Sequence, residues 1–183
     1  MEREEALRLI KQEVKTKNLI KHMLAAEAVM RRLAEELGQD EELWALTGLL
    51  HDLDYDRTMD QPEQHGLLSA QILEEKGLPP ELIQAVKAHN EVLGVERQTL
   101  LDKALYAADP VTGLLVAAAL IHPQKKLAAI DLDFVMNRFK EKSFARGADR
   151  GQIESCSELN LSLERFMTLS LEAMQSIAAD LGL

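Results

Sequence analysis

Four of the five histidines in this chain fall in a fixed order with two aspartates: His22, His51-Asp52, His65, His89 and Asp109. All six are nitrogen or carboxylate donors, with no thiolate among them. Imidazole and carboxylate together suit a reactive centre of iron, manganese, cobalt, nickel or zinc, whereas a structural zinc knot usually takes cysteines. Six donors also exceed what one ion needs while it keeps a position open for substrate. The set therefore points to two metal ions. His122, in His122-Pro123, belongs to no such set and reads as an ordinary histidine beside a turn.

The elements that must position these donors are helices. The chain has nine glycines and five prolines, long stretches rich in Leu, Ala, Glu and Lys, and no sustained alternation of period two. Residues 3 to 15 predict a first helix, with Leu7, Ile10 and Val14 on one stripe. Asn18 is the expected N-cap of a second, which carries His22 and ends at Gly38. Asp40 caps a third, expected from about Glu41 to Leu53, with His51 and Asp52 in its last turn. Neighbours on a helix point about 100° apart, so two of them converge best on a point just beyond a helix end. Asp60, Pro62 and Glu63 have the form of a capping-box start for a fourth helix, near His65. A fifth helix, from Glu81 to about Ala88, delivers His89. Thr99 and Asp102 start a sixth that carries Asp109, and Pro110 within it implies a kink beside that ligand. Beyond Pro123 the pattern gives a helix over about 131 to 146 and an irregular stretch. A last amphipathic helix then runs from Asn160, its core stripe including Leu163, Phe166, Met174 and Leu181. The expectation is one all-α domain over residues 1–183, a helical bundle with a metal-binding core at about 18–122 and C-terminal helices at about 123–183 packed on it.

The runs Leu50-His51-Asp52-Leu53-Asp54-Tyr55-Asp56, Gln64-His65-Gly66, Ala88-His89-Asn90 and Tyr106-Ala107-Ala108-Asp109-Pro110 make the order more specific. This order resembles the HD superfamily of metal-dependent phosphohydrolases. Within it, the chain is similar to small bacterial and archaeal proteins known only as predicted HD-superfamily hydrolases. The resemblance covers about residues 18 to 122. It implies two divalent ions (Fe, Mn, Co, Ni, Zn or Mg) bridged by Asp52. His22, His51 and Asp109 would complete one site, and His65 with His89 would hold the other. Such a pair acidifies a water and neutralises phosphoryl oxygens during in-line displacement. The implied activity is hydrolysis of a nucleotide or another small phosphoester. A few HD-fold proteins with this ligand order are instead oxygen-activating, mixed-valent di-iron oxygenases. A non-catalytic module that senses a metal or nucleotide is the third reading.

The chain departs from better-known branches in two places. Where many relatives read His-Asp-Ile-Gly followed by lysine, Asp54 and Tyr55 stand here, so a lysine that often contacts phosphate is missing. His89 is followed by Asn90 and Glu91 rather than by the second histidine of the cyclic di-GMP phosphodiesterases, and that activity is not expected. Asp54 and Asp56 are candidates either to orient imidazoles or to protonate the leaving group; Glu63 fits its capping role better. Substitute phosphate contacts are Arg57 and the four-residue series Arg138, Lys142, Arg146 and Arg150. The alternative for that series is a solvated helix face beside Glu141 and Asp149. Tyr55 and Trp44 have rings that could stack on a base, though Trp44 fits burial better.

A formal net charge of −10 argues against a nucleic-acid polymer as partner but not against a small phosphorylated substrate. Met1 to Arg8 is too charged for a signal peptide, and the uncharged run from Pro110 to Gln124 is too short for a span of about 20 residues. The single cysteine, Cys156, has no partner for a disulfide. These features lead to the expectation of a cytoplasmic protein away from membranes, with its oligomeric state open.

Overall fold

The computed structural model describes residues 1–183 and contains helices without strands. The α-helices are α1 (Arg3–Glu13), α2 (Lys17–Leu37), α3 (Glu41–Leu50), α4 (Tyr55–Thr58), α5 (Leu67–Glu75), α6 (Pro80–Ala88), α7 (Leu100–Ile121), α8 (Leu132–Lys140), α9 (Arg150–Glu154), α10 (Leu163–Ser176) and α11 (Ala178–Leu181). Several begin where the side chains dictate. The Asp40 carboxylate accepts from the N–H groups of Glu42 and Leu43, and Thr99 and Asp102 form a reciprocal capping box at the start of α7. Gly38 closes α2 in the left-handed conformation, with φ of 62°.

Several expected boundaries move. Thr16, not Asn18, precedes α2; its N–H and that of Lys15 donate to the Asp56 carboxylate. α3 ends at Leu50, and residues 51–54 continue as a turn. Asp60, Pro62 and Glu63 start no helix, because residues 59–66 stay in turns until α5 begins at Leu67. Gly66, with φ of 85°, makes the entry to α5, and its N–H is taken by Asp54. α8 stops at Lys140, and residues 141–149 form an irregular connection to α9.

Two apolar clusters fill the interior. One joins α2, α7 and α10, with Met30, Leu33, Leu105, Leu114, Phe166 and Met174 fully buried. The other lies among α1, α3, α5 and α6, around Ile10, Leu50, Leu73 and Leu82. Leu24 and Leu43 pack against both. α7 runs through Pro110 without interruption and is longer than the uncharged run alone suggests. By length and composition it is a helix that could cross a membrane, yet 67% of its apolar window is buried inside the bundle.

α2 and α3 approach backbone to backbone at Gly48. A Cβ there would lie 2.6 Å from the carbonyl oxygen of Ala26 and 2.9 Å from the Met30 side chain. Helix propensity alone favours alanine over glycine by about 1 kcal/mol. The contact outweighs it, because overpacking against rigid backbone costs about 1–3 kcal/mol. Gly48→Ala is therefore expected to lower the denaturant midpoint; an unchanged or raised midpoint would contradict this packing.

Candidate metal centre

The α2–α3 contact sets the first half of the site. His22 projects from α2 and His51 follows the end of α3, with their Nε2 atoms 3.1 Å apart. Asp109, from the middle of α7, places Oδ1 3.0 Å from His22 Nε2 and 3.8 Å from His51 Nε2. The second half comes from the turn before α5 and the end of α6: His65 Nε2 and His89 Nε2 are 3.0 Å apart. Asp52 lies between the halves. Its Oδ1 is 3.4 Å from His51 Nε2, 3.5 Å from His65 Nε2 and 3.6 Å from His89 Nε2, and its Oδ2 is 3.5 Å from His22 Nε2.

Every imidazole is held from behind. His51 Nδ1 lies 2.8 Å from the Gly48 carbonyl, and His89 Nδ1 meets the Val86 carbonyl in the same three-residue step back along its helix. His65 Nδ1 lies 2.9 Å from the Asp54 carboxylate. Carbonyls and carboxylates only accept, so these three nitrogens carry the proton. His22 Nδ1 lies 2.8 Å from the Thr112 hydroxyl, which gives its own proton to the Asp109 carbonyl and is left to accept. All four rings thus turn an unprotonated Nε2 inward, the tautomer that binds a metal.

That arrangement fits a cation. Inward Nε2 lone pairs about 3 Å apart repel unless a proton or metal lies between them. Metal–nitrogen bonds of about 2.0–2.1 Å meeting at right angles place their ligands at this separation. Burial alone would push Asp52 up, but His51, His89 and His22 around it hold its carboxyl well below the ordinary range. Burial likewise works to lower His51, and the carboxylates of Asp52 and Asp109 outweigh it and raise the ring. The donor groups His22, His51, Asp109 and His51, Asp52, His89 each lie close enough to share one ion.

The description "HD domain" matches residues 19–114, more than half of the chain. This chain belongs to the HD domain family. Family membership brings divalent-metal binding and hydrolysis as the general expectation, and the all-α fold agrees with it. Similar curated proteins carry the name Ribonuclease Y. The one from Desulfotalea psychrophila is 27% identical over 136 residues, covering 73% of this chain and 26% of that protein. The one from Nitratidesulfovibrio vulgaris is 32% identical over 100 residues, 54% of this chain and 18% of its own length. The Thermobifida fusca protein is 29% identical over 96 residues, 52% of this chain and 19% of its own length. The chain therefore spans about a quarter or less of these relatives. No solved structure matches it.

Outside the six donors, the structure separates the other candidates by their partners. Asp54 is fully buried; besides His65 it accepts from the N–H groups of Gly66 and Ser69. Burial would raise its carboxyl, and these donors, His65 foremost, hold it low. Asp56 is instead engaged at the start of α2. Arg57 pairs with Glu13 at 3.2 Å. The expected basic stripe is not a helix face: Arg138 lies on α8 and pairs with Glu141, Lys142 and Arg146 are exposed in the connection, and Arg150 begins α9.

The Arg150 guanidinium donates to the carbonyls of Phe139, Phe144, Ala145 and Ala148, which closes the 141–149 connection. Arg150→Met is expected to destabilise the fold by about 1–3 kcal/mol, since buried acceptors lose their donors. If the chain turns over phosphoesters, the folded variant should keep that activity, as steady-state kinetics beside a denaturation curve will establish; a selective rise in KM would assign Arg150 a phosphate contact.

Three contributors escaped sequence reasoning. Thr112, three residues after Asp109, fixes His22. Ser69 donates its N–H to Asp54 and accepts the Asp54 N–H at its hydroxyl. Asn90 donates to the carbonyls of Pro62 and His65 and so clamps the turn that bears His65. Its position directly after His89 was the available signal. Trp44 is core, whereas Tyr55 is 40% exposed and sets its ring edge-on to His65 with centroids 5.1 Å apart.

Proposed function

We propose that this chain is a phosphohydrolase with a binuclear metal centre, acting on a nucleotide or another small phosphoester. In this reading residues 1–183 work as one HD domain. The carrying observation is the position of Asp52, whose two oxygens lie within reach of all four inward-facing imidazoles. His22, His51 and Asp109 would hold one ion and His65 with His89 the other, both sharing Asp52. Bound ions would supply the positive charge that phosphoryl oxygens need and would activate water. The chain's own work is to fix the tautomers through Thr112, Gly48, Asp54 and Val86 and to keep the rear of the site dry. His51 and His89 are buried, whereas the side chains of His22 and Asp109 are 23% and 30% exposed, so the substrate phosphoryl group approaches along their edge.

The relatives named Ribonuclease Y favour a second reading, cleavage of RNA phosphodiesters. A net charge of −10 opposes a long polyanion, so the small substrate ranks first. One experiment separates them. Anaerobically purified protein is analysed for metal and then assayed, with iron or manganese, on a panel of nucleotides and phosphomonoesters and on a single-stranded oligoribonucleotide. About two ions per chain and metal-dependent phosphate release from the small esters are expected. Activity confined to the oligonucleotide would replace the first reading with the second. Turnover of no ester with any metal would remove both.

A further inference from the structure

A cavity of about 390 Å³ opens beside the centre, between α2, α7 and the segment Leu181–Leu183. Its walls continue the helix faces that carry two of the six donors. On α7, Gly113, Val116 and Leu120 follow Asp109 at steps of four, three and four residues, which is one face of a helix. On α2, Asn18 lies four residues before His22 and Ala25 three after it, on the same face, and Lys21 adjoins it. The cavity therefore leads away from the exposed edge formed by His22 and Asp109. Its volume lies in the range of small-molecule sites, about 300–1,000 Å³.

The lining indicates what fits. Val116, Leu120, Leu181 and Leu183 make it mainly apolar, and Leu120 is 49% exposed. The one cation, Lys21, donates to the Leu181 carbonyl at 2.6 Å; its remaining N–H bonds can meet one anionic oxygen, but no second cation lines the cavity to hold a polyphosphate. Gly113 sits in the interior of a 22-residue helix, where alanine would be about 1 kcal/mol better, yet no atom lies within 4 Å of its Cβ position. A larger cavity, of about 490 Å³ between α2 and α10, touches none of the six donors, and its Arg3, Arg31 and Arg32 are paired with glutamates.

We infer that the cavity beside His22 receives the uncharged, apolar part of the substrate, an aromatic or alkyl group esterified to the phosphate that the metal centre holds. The inference rests on the phosphohydrolase reading and narrows it, favouring an apolar phosphoester over a polyphosphate. The phosphate group anchors at the edge of His22 and Asp109, and the apolar group lies along α7 past Gly113.

The test compares 1-naphthylphosphonate with methylphosphonate, which do not hydrolyse, by calorimetry on the metal-loaded protein, and 1-naphthyl with methyl phosphate in turnover. Burying one aromatic group should make the naphthyl compound bind about ten-fold or more tighter. Gly113→Phe, which fills the cavity from within, should bring that ratio close to unity; Val116→Trp does the same from the next turn if the first variant fails to fold. Equal affinities in the wild-type protein, or a preference that survives both variants, would overturn the inference. A cavity-dependent preference with no ester turned over would keep the binding site and discard the phosphohydrolase reading. Turnover with no preference would do the reverse.

Discussion

Asp52→Ala should bring phosphoester turnover down by about three orders of magnitude, the scale on which one well-placed electrostatic group acts at a transition state. Asp52 is the residue that belongs to both halves of the centre. Its side chain is 7% exposed, and its carboxylate is the only one within 3.6 Å of His51, His65 and His89. Its removal leaves four imidazoles and the Asp109 carboxylate, with no negative charge between the two halves. Metal content should therefore fall together with activity, from about two ions per chain to one or none. Elemental analysis and turnover on the same preparation check both. Full activity with two ions retained would sink the bridging assignment. Asp56→Ala is the matched control: it removes a carboxylate four residues on, in α4, that serves the backbone at the start of α2, and it should cost stability without costing metal.

The convergence of the six residues was legible in the sequence because a metal ligand would have to be a particular residue type, and the order of such residues along the chain survives whatever the backbone does between. Helix ends were legible where a side chain caps its own helix, as at Asp40 and Thr99. They were not legible where a tertiary partner supplies the bond. Thr16 and Lys15 are capped by Asp56 from α4, a partner some forty residues on, so local propensity pointed to Asn18 instead. The Asp60–Glu63 motif has the right residues for a helix start, but the turn is committed elsewhere: Asp54 holds both His65 and Gly66, and Asn90 holds its carbonyls. The four-residue spacing of Arg138, Lys142, Arg146 and Arg150 needed one helix. That helix ends at Lys140, and the chain doubles back so that Arg150 can tie the carbonyls the break exposes.

A common device underlies two of the four imidazoles. His51 and His89 directly follow helices and bond a carbonyl three residues back, whereas His65 bonds the Asp54 carboxylate. Helix ends offer carbonyls without intrahelical partners, and such a carbonyl is a ready acceptor for Nδ1. The bond costs the helix nothing and sets the tautomer. His22, in mid-helix, has no free carbonyl at hand and borrows the Thr112 hydroxyl from α7. The glycines serve the same geometry. Gly48 lets α2 approach α3 so that His22 reaches His51, and a Cβ on Gly66 would come within 3.0 Å of the Val86 carbonyl that orients His89.

Asp54→Asn should remove one metal ion while leaving the fold in place. The native carboxylate takes three donors: His65 Nδ1–H on Oδ1, and the N–H groups of Gly66 and Ser69 on Oδ2. Asparagine has the same shape but only one acceptor oxygen. Two backbone N–H groups compete for that oxygen, so the amide nitrogen turns to His65. An NH₂ group cannot face an N–H, so His65 must accept at Nδ1 and carry its proton on Nε2. The protonated Nε2 can no longer bind a metal. Losses of about 10–100-fold are usual when a carboxylate behind a metal-bound histidine is altered. Here the tautomer change puts the expected loss at the upper end of that range, for affinity of the second ion and for activity alike. Nitrogen chemical shifts of the His65 ring in metal-free protein provide the direct readout, since Nδ1-protonated and Nε2-protonated imidazoles are distinguishable. An unchanged tautomer together with two tightly held ions would show that Asp54 is structural only. A changed tautomer with one ion retained would locate the remaining ion at His22, His51 and Asp109, and would separate the two halves of the centre by a single oxygen-to-nitrogen exchange.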